Sequence, residues 1–227
     1  MSKLNGITSM EWAPEESKRI RKVVKRSNYR VTGKYPSWKM KRMMQWESTL
    51  ERDAFYLLDA NPNVIEFREQ PAKISYTLDG IDHCHYPDLF IRTKHASSFL
   101  EVKESKNAAD EFVTERTTLL SSQLPVRGFS YGVLTEEEIR NEPQLSNARR
   151  LVRYGRNEVP IQIRDMLIRN YFMKGECSTS QIINSNDCNI LYPAICRMIL
   201  EGALSIDASQ AWTGDTSIIY TEKKEVL

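Results

Sequence analysis

The sequence predicts an α/β protein: a mixed sheet flanked by helices, followed by a small helix-rich C-terminal domain. Three observations carry this expectation. One amphipathic helical stretch is followed by several short apolar runs, then a helix and a last apolar run, which is the order of a sheet with helices on its faces. The texture then changes after "RYGRN" at 153–157 to apolar residues at helical spacing. Finally, 227 residues with 41% hydrophobic and 27% charged content suffice for one good-sized core plus a smaller one.

The elements follow in order. Residues 1–45 read as a basic arm. No acid falls between Glu16 and Glu47, while Arg19, Arg21, Lys22, Lys25, Arg26, Arg30, Lys34, Lys39, Lys41 and Arg42 all do, interleaved with Tyr29, Tyr35, Trp38 and Trp46. A block of one sign with aromatics suits a phosphate backbone and stacked bases; a solvated arm is the plainer alternative. Residues 46–155 form the mixed domain. In "ESTLERDAFYLLDA", Leu50, Ala54, Phe55, Leu57 and Leu58 share a helical face, and "NPN" at 61–63 ends it. Strands are expected at Ile65–Arg68, Ile74–Leu78, Leu89–Arg92, Phe99–Lys103 and Phe129–Leu134, with helices over Ala109–Ser122 and from Glu136 toward Arg153.

Residues 156–227 form the C-terminal domain. "VPIQIRDMLIRNYFM" reads as a helix with Pro160 near its first turn. "STSQIINS" offers a serine N-cap and a short second helix, and "NILYPAICRMILEGAL" gives a third. "LSID" and "SIIYTE" follow as two short strands. Three helices and a hairpin are the order of a winged helix. Its third helix offers only Arg197, balanced by Glu201, which equips it poorly for a DNA groove and points to protein docking instead.

Other classes are excluded or set aside. No apolar run approaches the roughly 18 residues of a membrane span, and "MSKLNGITSMEW" lacks the plan of a signal peptide, so a cytoplasmic protein is expected. Cys84, Cys177, Cys188 and Cys196 match no zinc spacing and read as reduced thiols. "HCH" at 83–85 reads as a minor loop feature, since neighbouring strand residues point to opposite faces.

The chemistry concentrates in "YPDLFIRTKHASSFLEVKE" at 86–104. On a strand, Glu101 and Lys103 share a face, and Asp88 heads the preceding strand. If the two strands pair through "TKHASS", two carboxylates and a lysine meet at a sheet end. Carboxylates hold Mg²⁺ while leaving it waters, and a lysine stabilises developing negative charge, as phosphodiester hydrolysis requires. A polar-faced hairpin explains the same alternation. Glu51 adds a third acid, within the apolar arc of the first helix, where a carboxylate needs a partner. It also fits a capping box with Ser48, and Glu47 one turn earlier is a rival for the metal.

Pro87–Asp88, twelve residues, then Glu101-Val102-Lys103 resembles the PD-(D/E)xK nuclease core, and hence implies a restriction-endonuclease-like fold. More narrowly, "WESTLERDAFYLLDANPNVIEFREQP" with "YPDLFI" and "FLEVKE" resembles TnsA, the endonuclease subunit of heteromeric cut-and-paste transposases, over about residues 35–155. The resemblance implies that Glu51, Asp88, Glu101 and Lys103 are catalytic, with Glu51, Asp88 and Glu101 as Mg²⁺ ligands and Mn²⁺ able to substitute. Glu101 stands where TnsA relatives often have glutamine. Glu115 matches a further acid of some relatives and is equally a solvated charge. The resemblance further implies cleavage at the 5′ ends of a transposon, beside a DDE-type transposase that handles the 3′ ends. It also implies contact with an AAA+ ATPase regulator through the C-terminal domain. A stand-alone restriction or repair nuclease and a catalytically inert DNA- or ATPase-binding adaptor are the alternatives.

Overall fold

A computed structural model describes residues 5–14, 19–20, 31–173 and 175–221 of the chain, which divide into two compact units. The first comprises Met1–Phe55 and Val64–Ile139; the second comprises Tyr56–Asn63 and Arg140–Leu227.

The first unit opens with β1 (Gly6–Trp12) and a hairpin of β2 (Gly33–Ser37) and β3 (Arg42–Trp46), before α1 (Thr49–Ala60), whose last turn belongs to the second unit. Strands β4 (Val64–Glu69), β5 (Ala72–Leu78), β6 (Ile81–His85), β7 (Leu89–Thr93) and β8 (Ser97–Val102) follow. Then come α2 (Ser105–Ala108), α3 (Glu111–Gln123), β9 (Ser130–Leu134) and α4 (Glu136–Ile139). The main sheet has the order β4-β7-β8-β9, antiparallel except for the parallel β8–β9 pair that α3 connects. A second, antiparallel sheet has the order β1-β5-β6.

One core joins these layers. Ala72 and Ile74 of β5, Phe90 of β7, Phe99 of β8, Tyr131 of β9 and Leu120 of α3 are buried together with Leu124 just beyond it. Trp12 of β1 sets its ring 5.3 Å from Phe90 and 5.4 Å from Phe99, so the first strand covers the aromatic centre. On the other side, Tyr35 of β2, Phe55 of α1 and Phe67 of β4 stack in series at 5.6 and 5.9 Å. These apolar faces fix which way each strand turns, because a one-residue slip would turn every side chain to the wrong face.

The expected arm over residues 1–45 is therefore corrected in part. Its β1 and the β2–β3 hairpin are integral strands, missed because charge dominates the segment and because a bulge between Ile7 and Ser9 breaks the alternation of Ile7, Met10 and Trp12. The five central strands and the helix expected over 109–122 are observed with boundaries shifted by at most two residues. The long helix expected from Glu136 is two helices, since Pro143 interrupts it before α5 (Gln144–Tyr154). "HCH" lies on β6 rather than in a loop.

In the second unit α5 is followed by α6 (Ile161–Tyr171), β10 (Glu176–Ser178), α7 (Thr179–Ile183), α8 (Cys188–Leu200), β11 (Leu204–Ser205) and β12 (Ser217–Tyr220). The three strands pair in the order β10-β12-β11. The expected boundary at 155/156 thus falls inside this unit. The reason is packing: Leu145, Ala148, Leu151 and Val152 of α5 are buried, and Gly155 at its end lies against α8. Ser178 caps α7 as expected, in a capping box with Gln181. Asn147 is buried and closes the unit by donating to the carbonyls of Ala208 (3.0 Å) and Gln210 (2.8 Å). No helix among the described residues is long and apolar enough to cross a membrane, and all four cysteines are free.

Gly155 makes this unit testable. A Cβ there would lie 2.8 Å from the Arg197 nitrogen and the Cys196 carbonyl carbon, distances that only backbone movement relieves. Gly155→Ala is expected to lower stability by about 1–3 kcal/mol in chemical denaturation. An unfolding midpoint equal to that of the wild-type protein would show that α5 and α8 do not approach so closely.

Candidate active site

The β7–β8 hairpin brings the predicted residues together. Thr93 and Ala96 close its turn, with Thr93 N–H donating to the Ala96 carbonyl at 2.9 Å. Leu89 pairs with Leu100, so the register carried one residue further sets Asp88 opposite Glu101. The Val102 amide donates to Asp88 Oδ2 at 2.8 Å, which ties the first acid to the strand bearing the second. Lys103 directly follows β8, its Nζ 3.0 Å from Glu101 Oε1.

Glu101 is not on a wet face: only 4% of it is exposed. Its face of β8 begins with Phe99 in the core and meets α3, whose inward stripe runs Leu124, Leu120, Arg116 at spacing four. Arg116 Nη2 lies 3.5 Å from Glu101 Oε1, and His85 Nε2 lies 3.2 Å from Oε2. The same His85 nitrogen is 2.9 Å from the Tyr131 hydroxyl and is aligned with it, leaving Glu101 Oε2 buried without a hydrogen-bond donor.

The charges follow from these contacts. Burial works to raise the Glu101 carboxyl, but the His85 ring and the Lys103 ammonium beside it reverse the sign and hold it well below the usual carboxylate range. Burial also pushes His85 below its ordinary value, which makes the ring neutral near pH 7. We therefore assign the steady support of the Glu101 charge to Lys103 and Arg116. Asp88 moves the opposite way. Burial raises its carboxyl most, and the charges of Glu101 and Glu51 raise it further, against the Val102 amide and Lys103. Part of Asp88 is nevertheless reachable from solvent, which an incoming ion or phosphate requires.

Glu51 both caps and points inward. Its amide donates to Ser48 Oγ (3.1 Å), while its carboxylate accepts from Ser48 Oγ (3.2 Å) and from the Glu47 amide (2.9 Å). The capping box thus reaches one residue beyond the Ser48 amide expected from the sequence. Burial raises this carboxyl to about 7, with the Glu47 charge adding to the rise and the Glu47 amide, Ser48 and Arg19 opposing it. The rival Glu47 is engaged elsewhere: Gln70 Nε2 donates to its Oε1 at 2.6 Å and Arg19 Nη2 at 3.1 Å. The Glu51 charge is among those that raise the Asp88 carboxyl.

Other predicted residues stand apart. Glu115 is exposed on α3, and its neighbour Arg116 takes the inward position. Arg42 forms a two-toothed ion pair with buried Glu69, one contact at 2.8 Å, and Arg19 is enclosed with Glu47. Lys34 and Lys41 are exposed, and Lys39 lies 5.7 Å over the Trp38 ring. Arg21, Lys22, Lys25, Arg26 and Arg30 lie outside the described residues. Sequence reasoning missed His85, Tyr131 and Arg116. Arg116 was findable, because an arginine at i−4 and i−8 from Leu120 and Leu124 continues an apolar stripe into a sheet and must have an anionic partner there.

Beside Lys103 opens a hollow of about 490 Å³, lined also by Lys106, Asn107 and Asp110. Among the described residues no three His, Cys, Asp or Glu side chains stand close enough to cage a metal alone. Two acids and a lysine at paired strand ends, on a mixed sheet with a parallel crossover, define the class: a nuclease-type α/β domain. Residues 61–136 match the family model described as TnsA-like endonuclease N terminal. The stretch similar to TnsA-like endonucleases holds Asp88, Glu101, Lys103, His85, Arg116 and Tyr131, while Glu51 and the second unit's helices α5–α8 lie outside it. A comparison with curated proteins finds no match.

Glu51 gives a sign-definite test. Its carboxyl sits at about 7 in the folded protein against 4.5 ordinarily, so folding opposes its ionisation. The stability it contributes is present below about 4.5 and lost as pH rises through 7. In metal-free buffer Glu51→Gln is expected to raise stability at pH 8 by on the order of 1 kcal/mol, with no such gain at pH 4.5. Thermal unfolding of both proteins at the two pH values measures this, and an equal effect at both would refute the assignment.

Proposed function

We propose that the chain is a Mg²⁺-dependent DNA endonuclease of TnsA type, which cuts the 5′ strand ends of a transposon in a complex with a DDE-type transposase and an AAA+ regulator. The observation that carries this reading is the juxtaposition of Asp88, Glu101 and Lys103 at paired strand ends, inside the segment that matches the TnsA-like family.

The residues fit a hard divalent cation. The donors are carboxylate oxygens without sulfur, Glu101 Oε2 is buried without a donor, and the charges of Glu101 and Glu51 both oppose that of Asp88. A pair of carboxylates with water completing the shell suits Mg²⁺, which rarely has an all-protein cage, and Mn²⁺ accepts the same donors. Asp88 and Glu101 would hold the ion, with Glu51 as the third acid. The bound ion supplies positive charge for the scissile phosphate and lowers the pKa of water.

The protein's own groups do the rest. Asp88, whose carboxyl is raised by burial and by the neighbouring acids, would be one of the two carboxylates that hold the ion. Lys103 Nζ donates to the phosphate or to the attacking water, and its bond to Glu101 fixes where it points. Arg116 keeps Glu101 charged and in place from the core side. The hollow lined by Lys103 and Lys106 receives the DNA backbone, and the exposed Lys34 and Lys41 extend the positive surface of this unit.

We read the second unit as winged-helix-like from its helix–strand–helix–helix–strand–strand order from α6 onward, and as a docking module for the ATPase. Its α8 is buried throughout residues 194–200, and Arg197 is bound to Glu201 (2.6 Å) and to the Arg156 carbonyl (3.1 Å). A helix without exposed basic side chains has little with which to read bases.

A reconstituted cleavage assay on transposon-end DNA, with and without the partner transposase, tests the reading. Asp88→Ala and Lys103→Ala are each expected to reduce nicking at least about 100-fold, with circular dichroism unchanged. Full cleavage by both variants would end the active-site assignment, and robust cutting without partners would indicate a stand-alone nuclease.

A further inference from the structure

Arg19 belongs to the acid-free run that the sequence assigns to DNA contact, yet its side chain is only 8% exposed and is bound to three acceptors. Nη1 donates to Gln45 Oε1 at 2.6 Å; Nη2 donates to Gln70 Oε1 at 2.8 Å and to Glu47 Oε1 at 3.1 Å. The next amide, of Ile20, donates to the Gln70 carbonyl at 3.1 Å. A phosphate contact would require the guanidinium to leave all three.

The acceptors themselves lead to the active site. Gln70 is a buried, non-glycine residue with φ of +41°, a conformation that persists only where neighbours hold it. Its amide donates to the Asp88 carbonyl at 2.9 Å, and its side-chain Nε2 donates to Glu47. The Glu47 amide in turn donates to the Glu51 carboxylate. Two short paths therefore run from Arg19, one through Gln70 to the backbone of Asp88, the other through Glu47 to Glu51.

We propose that Arg19 is a positioning residue of the metal site: by binding Glu47 and Gln70 together it offsets the Glu47 charge beside the Glu51 carboxylate and fixes the backbone that carries Asp88. This rests on the nuclease reading above. It also gives the "REQP" segment its work. Arg68 pairs with Glu66 at the surface of β4, Glu69 holds Arg42 of the hairpin, and Gln70 joins Arg19 to Asp88. Arg19 is thereby linked to the carboxylates of the candidate site.

The test is Mn²⁺ binding by isothermal titration calorimetry on the full chain without DNA, with cleavage kinetics in the reconstituted complex. Arg19→Gln is expected to weaken Mn²⁺ binding about 10-fold, the range in which residues behind metal ligands act, and to lower kcat with KM for DNA little changed. Arg19→Gln combined with Glu47→Gln is expected to recover most of the affinity, because the uncompensated charge is gone. Arg19→Lys, which keeps the charge but not the fork that spans three acceptors, is expected to fall between and serves if Arg19→Gln does not fold. Wild-type Mn²⁺ affinity in Arg19→Gln or Arg19→Lys, a rise in KM alone, or no recovery in the double variant would overturn the proposal. If the wild-type chain itself binds no Mn²⁺, the nuclease reading fails first, and that defect is distinguishable from one confined to the variants.

Discussion

The nuclease unit is organised around a carboxylate that must stay ionised inside the fold. Glu101 is almost fully buried, and a charge there is tolerable only with cations at hydrogen-bonding range. Lys103 supplies one at 3.0 Å from the end of the same strand, and the Arg116 guanidinium of α3 adds its charge 3.5 Å from the same carboxylate oxygen. That requirement explains the sheet order. β8 must lie between β7, which brings Asp88, and β9, which brings Tyr131, and the crossover helix must run with its Arg116 end over the polar tip of the strand.

From this charge the rest of the electrostatics follows. A second acid set beside Glu101 cannot ionise freely, so Asp88 is raised, and Glu51 is raised by its own burial. Asp88 and Glu101, one acid that resists charging beside one that is charged, form a pair that a divalent cation would relieve, whereas a sodium-sized single charge would relieve it less. The structural capping role of Glu51 does not compete with this. Its carboxylate accepts the Glu47 amide through Oε2, and this contact orients it without neutralising it.

Much of this was legible in the sequence because it is local. Residues two apart on a strand share a face, and the six residues "TKHASS" between two apolar runs suit a hairpin, so Asp88, Glu101 and Lys103 could be placed together from spacing. The strands β4, β5, β7, β8 and β9 were legible for the same reason. What was hidden is non-local. β1 depends on a partner some 60 residues on and carries a bulge, and His85 acquires its role only because β6 ends where β8 and β9 bring Glu101 and Tyr131. The basic run misled through its composition: Arg19 and Arg42 carry the charge of DNA contacts but are bound to Glu47 and Glu69 within the fold. Pro143 was visible, yet the helical period on both sides of it outweighed the break.

The account stands on Asp88 and Glu101 sharing one cation. The most direct measurement is anomalous diffraction from crystals of the protein soaked in Mn²⁺. A manganese peak in contact with both the Asp88 and Glu101 carboxylates is the predicted result. A peak bound elsewhere, or none at these two residues at saturating Mn²⁺, would contradict it.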